Sequence, residues 1–226
     1  MYGFFNRLLR IDLNTKSYAY QELSDELLTK TLGGKGLGTH LLWEENRPGV
    51  DPLAREAAFI IATGPATGTK MWSQSRFGVY AKSPATGGYG ESYCGGALAP
   101  KIKGCGIDAV VITGGAEALT YLVITEEGVE FFDAGAISGS DSFDTEDAIL
   151  DSAPEGAGAM TIGPAGEKLV AQACIKVNKW RSIGRGGMGA VLGSKMVKGI
   201  AFHGKAKCPL ADPERLTRLI KSVGQA

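Results

Sequence analysis

A chain of 226 residues with 44% hydrophobic content can close one large core or two small ones, which excludes global disorder. Its 24 basic residues balance its 24 acidic ones, so no charge surplus exists to hold nucleic acid, and any anion site must be local. Glycine is the outlier at 33 residues, about twice the usual share and without a collagen-like period.

The opening MYGFFNRLLRIDLNTK has no apolar run long enough for a signal peptide or a membrane span, so a cytoplasmic chain with no membrane partner is expected. RLLRIDL, the turn signal NTK and SYAYQEL predict a β-hairpin. Ser24–Leu32 predicts a capped helix that stops at Gly33-Gly34, and Gly38–Asn46 a second. Ala57–Thr63 is a buried strand by composition, closing on the loop Gly64–Thr69, and Ser75–Pro84 alternates as another. Gly96–Gly106 is a short helix despite Pro100, and DAVVITGG is a strand. Leu119–Ala134 predicts a hairpin about Glu127-Gly128, and Ser140–Pro154 an acidic helix. AGAMTIGPAG, LVAQACIKV and MVKGIAFHG supply further strands. Many strands with inserted helices and no regular βαβ alternation predict an α+β fold. Gly-Pro recurs after a strand at Gly64-Pro65 and Gly163-Pro164, a hint of two related halves.

The tail changes character. A helix starting at Asp212-Pro213 carries an apolar stripe at Leu216, Leu219, Ile220 and Val223. Residues 1–208 are therefore expected to form one domain, and the helix of residues 209–226 either to dock onto it or to begin a second, helical one. The cysteines Cys94, Cys105, Cys174 and Cys208 are widely spaced with no CxxC pair, and buried free thiols are expected rather than a metal site of this chain alone.

Chemistry concentrates in NKWRSIGRGGMGAVLGSK, residues 178–195, where five glycines meet four cations. Glycine lets backbone N–H groups reach an anion, and arginine grips phosphate with a planar fork of donors. Gly184-x-Gly186-x-x-Gly189 matches a dinucleotide fingerprint, but no acid closes the next strand to hold a ribose. In GAVLGSK the lysine follows the serine, contrary to a phosphate loop. His40 and His203 read as structural, and no nucleophile elbow accompanies them. Three phosphate-compatible loops remain: WSQSR, SYCGGA and RSIGRGG.

In order, GFFNRLLRIDLNTK, LGGKGLGTHLL, FIIATGPATGT, SRFGVYAKSPATGGYGESYCGGALAPKIKGCGIDAVVITG, TIGPAGEKLVAQACIKVN, RSIGRGGMGAVLGSKMVKGIAFHG and PLADPERL closely resemble the N-terminal domain of the tungsten-containing aldehyde ferredoxin oxidoreductase family. The resemblance implies a base of two β-sheets carrying a tungsten or molybdenum bis-pyranopterin, with magnesium linking the two pterin phosphates. It implies that Arg76 lies between a pterin and the family's iron–sulfur cluster, and that the Gly95 backbone lies against the cofactor. Arg181, Ser182 and Gly184 match the cofactor-binding segment, with the Ser182 carbonyl offered to magnesium. Arg185 and Gly186-Gly187 shape the same loop.

Two departures accompany the resemblance. Tyr93 stands where the family has an asparagine whose side-chain carbonyl ligates magnesium, and a neutral phenol is a poor substitute. Ser182 replaces a familiar alanine, which leaves the carbonyl contact intact. The family's helical portions hold the [4Fe–4S] cluster, the substrate channel and the acid/base residues. The implied activity is oxidation of an aldehyde with water to a carboxylic acid, with electrons passing to ferredoxin. This chain is then expected to need a helical iron–sulfur partner portion and to have no catalytic residue of its own. The alternative is a non-catalytic fragment that keeps the fold without the cofactor.

Overall fold

The computed structural model describes residues 1–224. The first half runs β1 (Arg7–Asp12), β2 (Ser17–Glu22), α1 (Asp25–Thr31), α2 (Gly34–Glu45), β3 (Phe59–Thr63), β4 (Arg76–Lys82), β5 (Tyr89–Gly95), α3 (Leu98–Gly104) and β6 (Ala109–Thr113). The second runs β7 (Thr120–Thr125), β8 (Val129–Asp133), a 3-10 turn at Gly135–Ile137, α4 (Ser142–Asp151), β9 (Gly158–Thr161), α5 (Pro164–Glu167), β10 (Ile175–Val177), β11 (Arg181–Ile183), α6 (Met188–Ser194) and β12 (Val197–His203). Helix α7 (Pro213–Val223) follows.

The strands form two six-stranded sheets, in the orders β2-β1-β6-β3-β4-β5 and β8-β7-β12-β9-β10-β11. Adding six to every strand of the first order gives the second. Pairing repeats as well: β1–β6 and β7–β12 are parallel and all other neighbours antiparallel. Gly64-Pro65 follows β3 and Gly163-Pro164 closely follows β9, which are equivalent strands. The two halves hinted at by that dipeptide are thus one topology used twice.

Strand periodicity places the core. In β1 and β3, Leu9, Ile11, Phe59 and Ile61 face the second sheet, where Leu122, Ile124, Met160, Ile200 and Phe202 meet them in one cluster. The alternate residues Leu8, Ile60 and Ala62 face the other way, under α1 and α2, through Leu28, Leu37 and Leu41. Behind the second sheet Val123, Ala159 and Ala201 pack on Ile149 of α4. Helices α3 and α6 enter the inter-sheet cluster through Leu98, Ile102, Met188 and Val191. The layers are helix, sheet, sheet, helix.

Local chemistry agrees with the predicted starts of elements. Ser24 Oγ accepts from Leu27 N at 3.1 Å, capping α1, and Asp141 caps α4. Two buried lysines are neutralised by acids, Lys103 by Asp108 and Lys198 by Glu167. Lys195 is buried without an acid partner among the described residues, and its Nζ donates to the carbonyl oxygens of Arg55 at 2.9 Å and Gly114 at 3.3 Å.

Several expectations need correction. Helix α2 starts at Gly34, not Gly38, because Leu32 turns left-handed (φ 56°) and lets α2 follow α1 directly. Of LVAQACIKV only Ile175–Val177 pairs as a strand, since the preceding residues carry the turn after α5. SYCGGA is not a loop throughout: its first four residues belong to β5, whose mixture of Tyr, Gly, Glu and Ser carries no apolar run. The glycine-rich stretch hides both β11 and α6. Cys94 and Cys105 are buried, whereas Cys174 is exposed and Cys208 half-buried. Helix α7 buries no residue and touches the sheets' loops where Trp72 Nε1 donates to the Ile220 carbonyl at 3.4 Å. Residues 225 and 226, the end of the segment expected to open a second domain, lie outside the described residues. Among the described residues no helix is long and apolar enough to cross a membrane.

Candidate anion and cofactor site

Strands β5 and β11 are equivalent in the two halves, and each is the last strand of its sheet. They face one another across an open cleft of about 480 Å³ lined by Glu91, Ser92, Tyr93, Ser182, Gly184 and Arg185. Arg185 N donates to Ser92 Oγ at 3.3 Å, tying the loop after β11 to β5. Arg76 opens β4 directly opposite Gly95, in the same register that pairs Gly78 with Tyr93.

Glycine has a steric reason here. Gly96 has φ +100°, and a Cβ on it would lie 2.6 Å from Arg181 Nε. The missing side chain lets the Arg181 guanidinium stem lie across the turn after β5. Gly187, at φ +72°, lets the loop after β11 pass so close to Ala171 that a Cβ would sit 2.0 Å from its carbonyl oxygen. Beside them, Ser75 Oγ donates to the Gly96 carbonyl.

The β10–β11 hairpin turns at Asn178 and Lys179, both left-handed (φ 46° and 58°). Lys179 N donates to Glu146 Oε2 at 2.8 Å, and Lys179 Nζ pairs with Asp147 at 2.6 Å, pinning the turn to α4. Burial pushes the Glu146 carboxyl up, with the Lys179 hydrogen bond pulling the other way. Trp180 is 82% exposed beside Arg181 and packs edge-on against Phe143, ring centres 5.1 Å apart.

Lys176 faces Ser182 across the hairpin, and its Nζ donates to Ser182 Oγ at 3.0 Å. The buried thiol of Cys94 is raised by desolvation, while the nearby charges of Arg181, Arg76 and Lys176 pull it down. Arg76 and Arg181 lie against the end of β5, where a Cβ on Gly95 would stand 3.5 Å from Arg76 Nε and one on Gly96 2.6 Å from Arg181 Nε, while Lys176 holds the cleft-lining Ser182 and Arg185 lines the cleft itself. Among the described residues none of the four pairs with an acid. Four unpaired cations around two glycine-cut turns attract an anion.

Of the six residues marked by the sequence, Tyr93, Ser182 and Gly184 line the cleft, whereas Arg76, Gly95 and Arg181 lie beside it at the end of β5. Arg181, Ser182 and Gly184 come from the second half, and Gly95, Tyr93 and Arg76 from the first. Arg76 and Tyr93 also border a second recess of about 280 Å³ with Gly34, Gly64 and Gln74. Sequence reasoning missed Lys176, which had no signal beyond its place on a short strand. It also missed the partners of Tyr93. The Tyr93 hydroxyl donates to Glu91 Oε2 at 2.9 Å, as does that of Tyr89 at 2.9 Å, while Lys35 Nζ pairs with Glu91 Oε1 at 2.9 Å. Lys35 holds the Glu91 carboxyl below its ordinary value. Burial first, then the Glu91 hydrogen bond, raises the Tyr93 phenol, and its ring packs edge-on to Tyr80 at 6.1 Å.

Residues 8–204 match the family described as aldehyde ferredoxin oxidoreductase, N-terminal domain. The chain belongs to that family. It is 40% identical to the tungsten-containing aldehyde ferredoxin oxidoreductase of Pyrococcus furiosus over 98% of its own length and 37% of that protein's. It is 32% identical to the aliphatic sulfonate oxidoreductase, WOR-like subunit, of the same organism, covering 98% of this chain and 38% of that one. Among solved structures it aligns with the active site complex BamBC of benzoyl coenzyme A reductase in complex with 1,5-dienoyl-CoA. The TM-score there is 0.94 at 31% identity, over 99% of this chain and 34% of that one. The two-sheet base implied by the resemblance is the fold observed. This aldehyde ferredoxin oxidoreductase N-terminal domain thus spans little more than a third of the length of the curated relatives it matches.

Proposed function

We propose that this chain is the cofactor-holding portion of an oxidoreductase that carries tungsten or molybdenum on a bis-pyranopterin. The observation that carries the reading is the set of cations without an acid partner among the described residues: Arg76 and Arg181 against the end of β5, Lys176 on Ser182 of β11 and Arg185 in the cleft between the two strands. Phosphate-bearing groups fit it: guanidinium forks bind phosphate oxygens in pairs, and the turn cut away at Gly96 leaves Arg181 room to do so.

The bound group would supply two-electron chemistry at its metal, and the protein's share is binding, orientation and electrostatics. Arg181, Arg185 and Lys176 would neutralise phosphate together with Arg76, whose guanidinium would also flank the ring system, and Gly95 and Gly184 would allow close backbone approach. The overall reaction balances as aldehyde plus water giving carboxylic acid, two protons and two electrons. The electrons require an acceptor chain, for which we propose a [4Fe–4S] cluster in a helical partner portion and then ferredoxin. None of this chain's residues is assigned to the chemical step. A magnesium link through residue 93 does not fit, because the Tyr93 hydroxyl is engaged by Glu91. That engagement favours a second reading, a fold retained without the cofactor.

The test is anaerobic purification from the native cells, with elemental analysis and identification of co-purifying polypeptides. Tungsten or molybdenum near one per chain, with an iron–sulfur partner, is expected. A metal-free, partnerless chain would establish the second reading. The isolated chain is expected not to reduce viologen with aldehyde, and robust turnover by it would sink the requirement for a partner portion.

A further inference from the structure

We propose that this chain holds its phosphorylated ligand without a bridging divalent cation, through the guanidinium and ammonium groups of Arg76, Lys176, Arg181 and Arg185. The inference rests on the reading above that the site takes phosphate, and it departs from the magnesium linkage implied by the family resemblance.

Three observations carry it. The first is the fate of residue 93. Magnesium demands hard oxygen ligands in near-octahedral order, and a neutral phenol whose proton is already given to a carboxylate is a weak candidate. The Tyr93 hydroxyl donates to Glu91 Oε2, and its ring is held edge-on by Tyr80.

The second is the fate of Glu91, the acid lining the cleft. Its Oε1 takes Lys35 Nζ at 2.9 Å, and its Oε2 takes both the Tyr89 and Tyr93 hydroxyls at 2.9 Å. The carboxylate is satisfied and its charge cancelled by Lys35. Recruiting it to a metal would break three hydrogen bonds and leave Lys35 unpaired.

The third is charge. Two phosphate groups bring roughly −3 to −4 at neutral pH. The four unpaired cations bring +4, which balances that charge before any metal is added. A dication would leave the cleft with an excess of positive charge beside Arg181 and Arg76.

The test uses the full chain and labelled inorganic pyrophosphate in equilibrium dialysis, in EDTA and in millimolar magnesium. We expect saturable binding in EDTA at least as tight as in magnesium, because magnesium in solution competes for the same oxygens. Arg181→Ala is expected to weaken the EDTA-state binding by about tenfold or more, the scale of a lost charge-assisted fork. Lys176→Ala, a second site on the same hairpin, is expected to weaken it as well, and far-UV circular dichroism checks that both variants fold. Saturable binding only with magnesium would overturn the inference and leave the phosphate site standing. Affinity unchanged in both folded variants would overturn the assigned cations. Absence of saturable binding in either buffer would overturn both the inference and the functional reading.

Discussion

At the scale of single residues, the site depends on an atom that is missing. Gly96 is compatible with Arg181 only because it lacks a Cβ, which would stand 2.6 Å from Nε. Gly96→Ala must push that side chain aside and also adopt φ +100° with a side chain, a strain of about 1–2 kcal/mol. We expect the variant to fold with a lowered Tm and to lose pyrophosphate affinity much as Arg181→Ala does. Retained affinity in dialysis would show that Arg181 does not need the turn.

Lys195 offers a second residue-scale outcome. Burial lowers its ammonium to about 8, and Glu56 opposes this weakly. Because the folded value lies below the unfolded one, the folded state gives up the proton first as pH rises. The cost of burying the charge is fully present below about 8 and fades between there and the unfolded lysine value. Wild-type stability relative to Lys195→Met should therefore rise by about 2 kcal/mol between pH 7 and pH 9.5, read by urea unfolding. A gap independent of pH would mean that Lys195 stays charged on its two carbonyl oxygens.

At the scale of elements, α2 shows how context reverses a propensity. Replacing a helical glycine by alanine ordinarily gains about 1 kcal/mol. Gly38 faces the sheet, and a Cβ there would lie 2.3 Å from the buried ring of Tyr80. Overpacking of this kind costs about 1–3 kcal/mol, so Gly38→Ala should lower stability, and a raised melting temperature would contradict the packing. The same helix shows what the sequence could not disclose. Its glycines read as a terminator for α1, while their use is to let two helices lie flush on the sheet. Strands β1, β3, β6, β7 and β12 were legible because apolar runs or alternation mark them. Strands β5 and β11 were not, since the first mixes Tyr, Gly and Ser and the second is three residues long. The arginines and glycines of the site were legible from their chemistry. Lys176, Glu91 and Lys35 were not, because they reach the site only through strand pairing and helix placement.

At the scale of the whole molecule, the repeated strand order does not make two independent units. The largest hydrophobic cluster joins Leu9, Phe59 and Val110 of the first sheet to Leu122, Met160 and Phe202 of the second. Either half alone would expose that face, far more apolar surface than a monomer tolerates. A chain divided between Gly115 and Leu119, in the connection from β6 to β7, should reassemble when both pieces are co-expressed. Each piece alone should aggregate or stay unfolded, and a soluble, cooperative melt of the piece 1–116 by itself would show that the inter-sheet core is dispensable.

The tryptophans have a consequence for how such a molecule can be watched. Trp43, Trp72 and Trp180 are exposed by 82%, 60% and 82%, so the core is built without an indole. Loss of the fold therefore moves no indole from oil to water, and emission colour should barely report denaturation. Trp180, standing one residue before Arg181, is placed instead as an optical probe of whatever settles on that loop. If the proposed ligand binds there, Trp180 emission is expected to change with its addition while the unfolding curve is followed by circular dichroism.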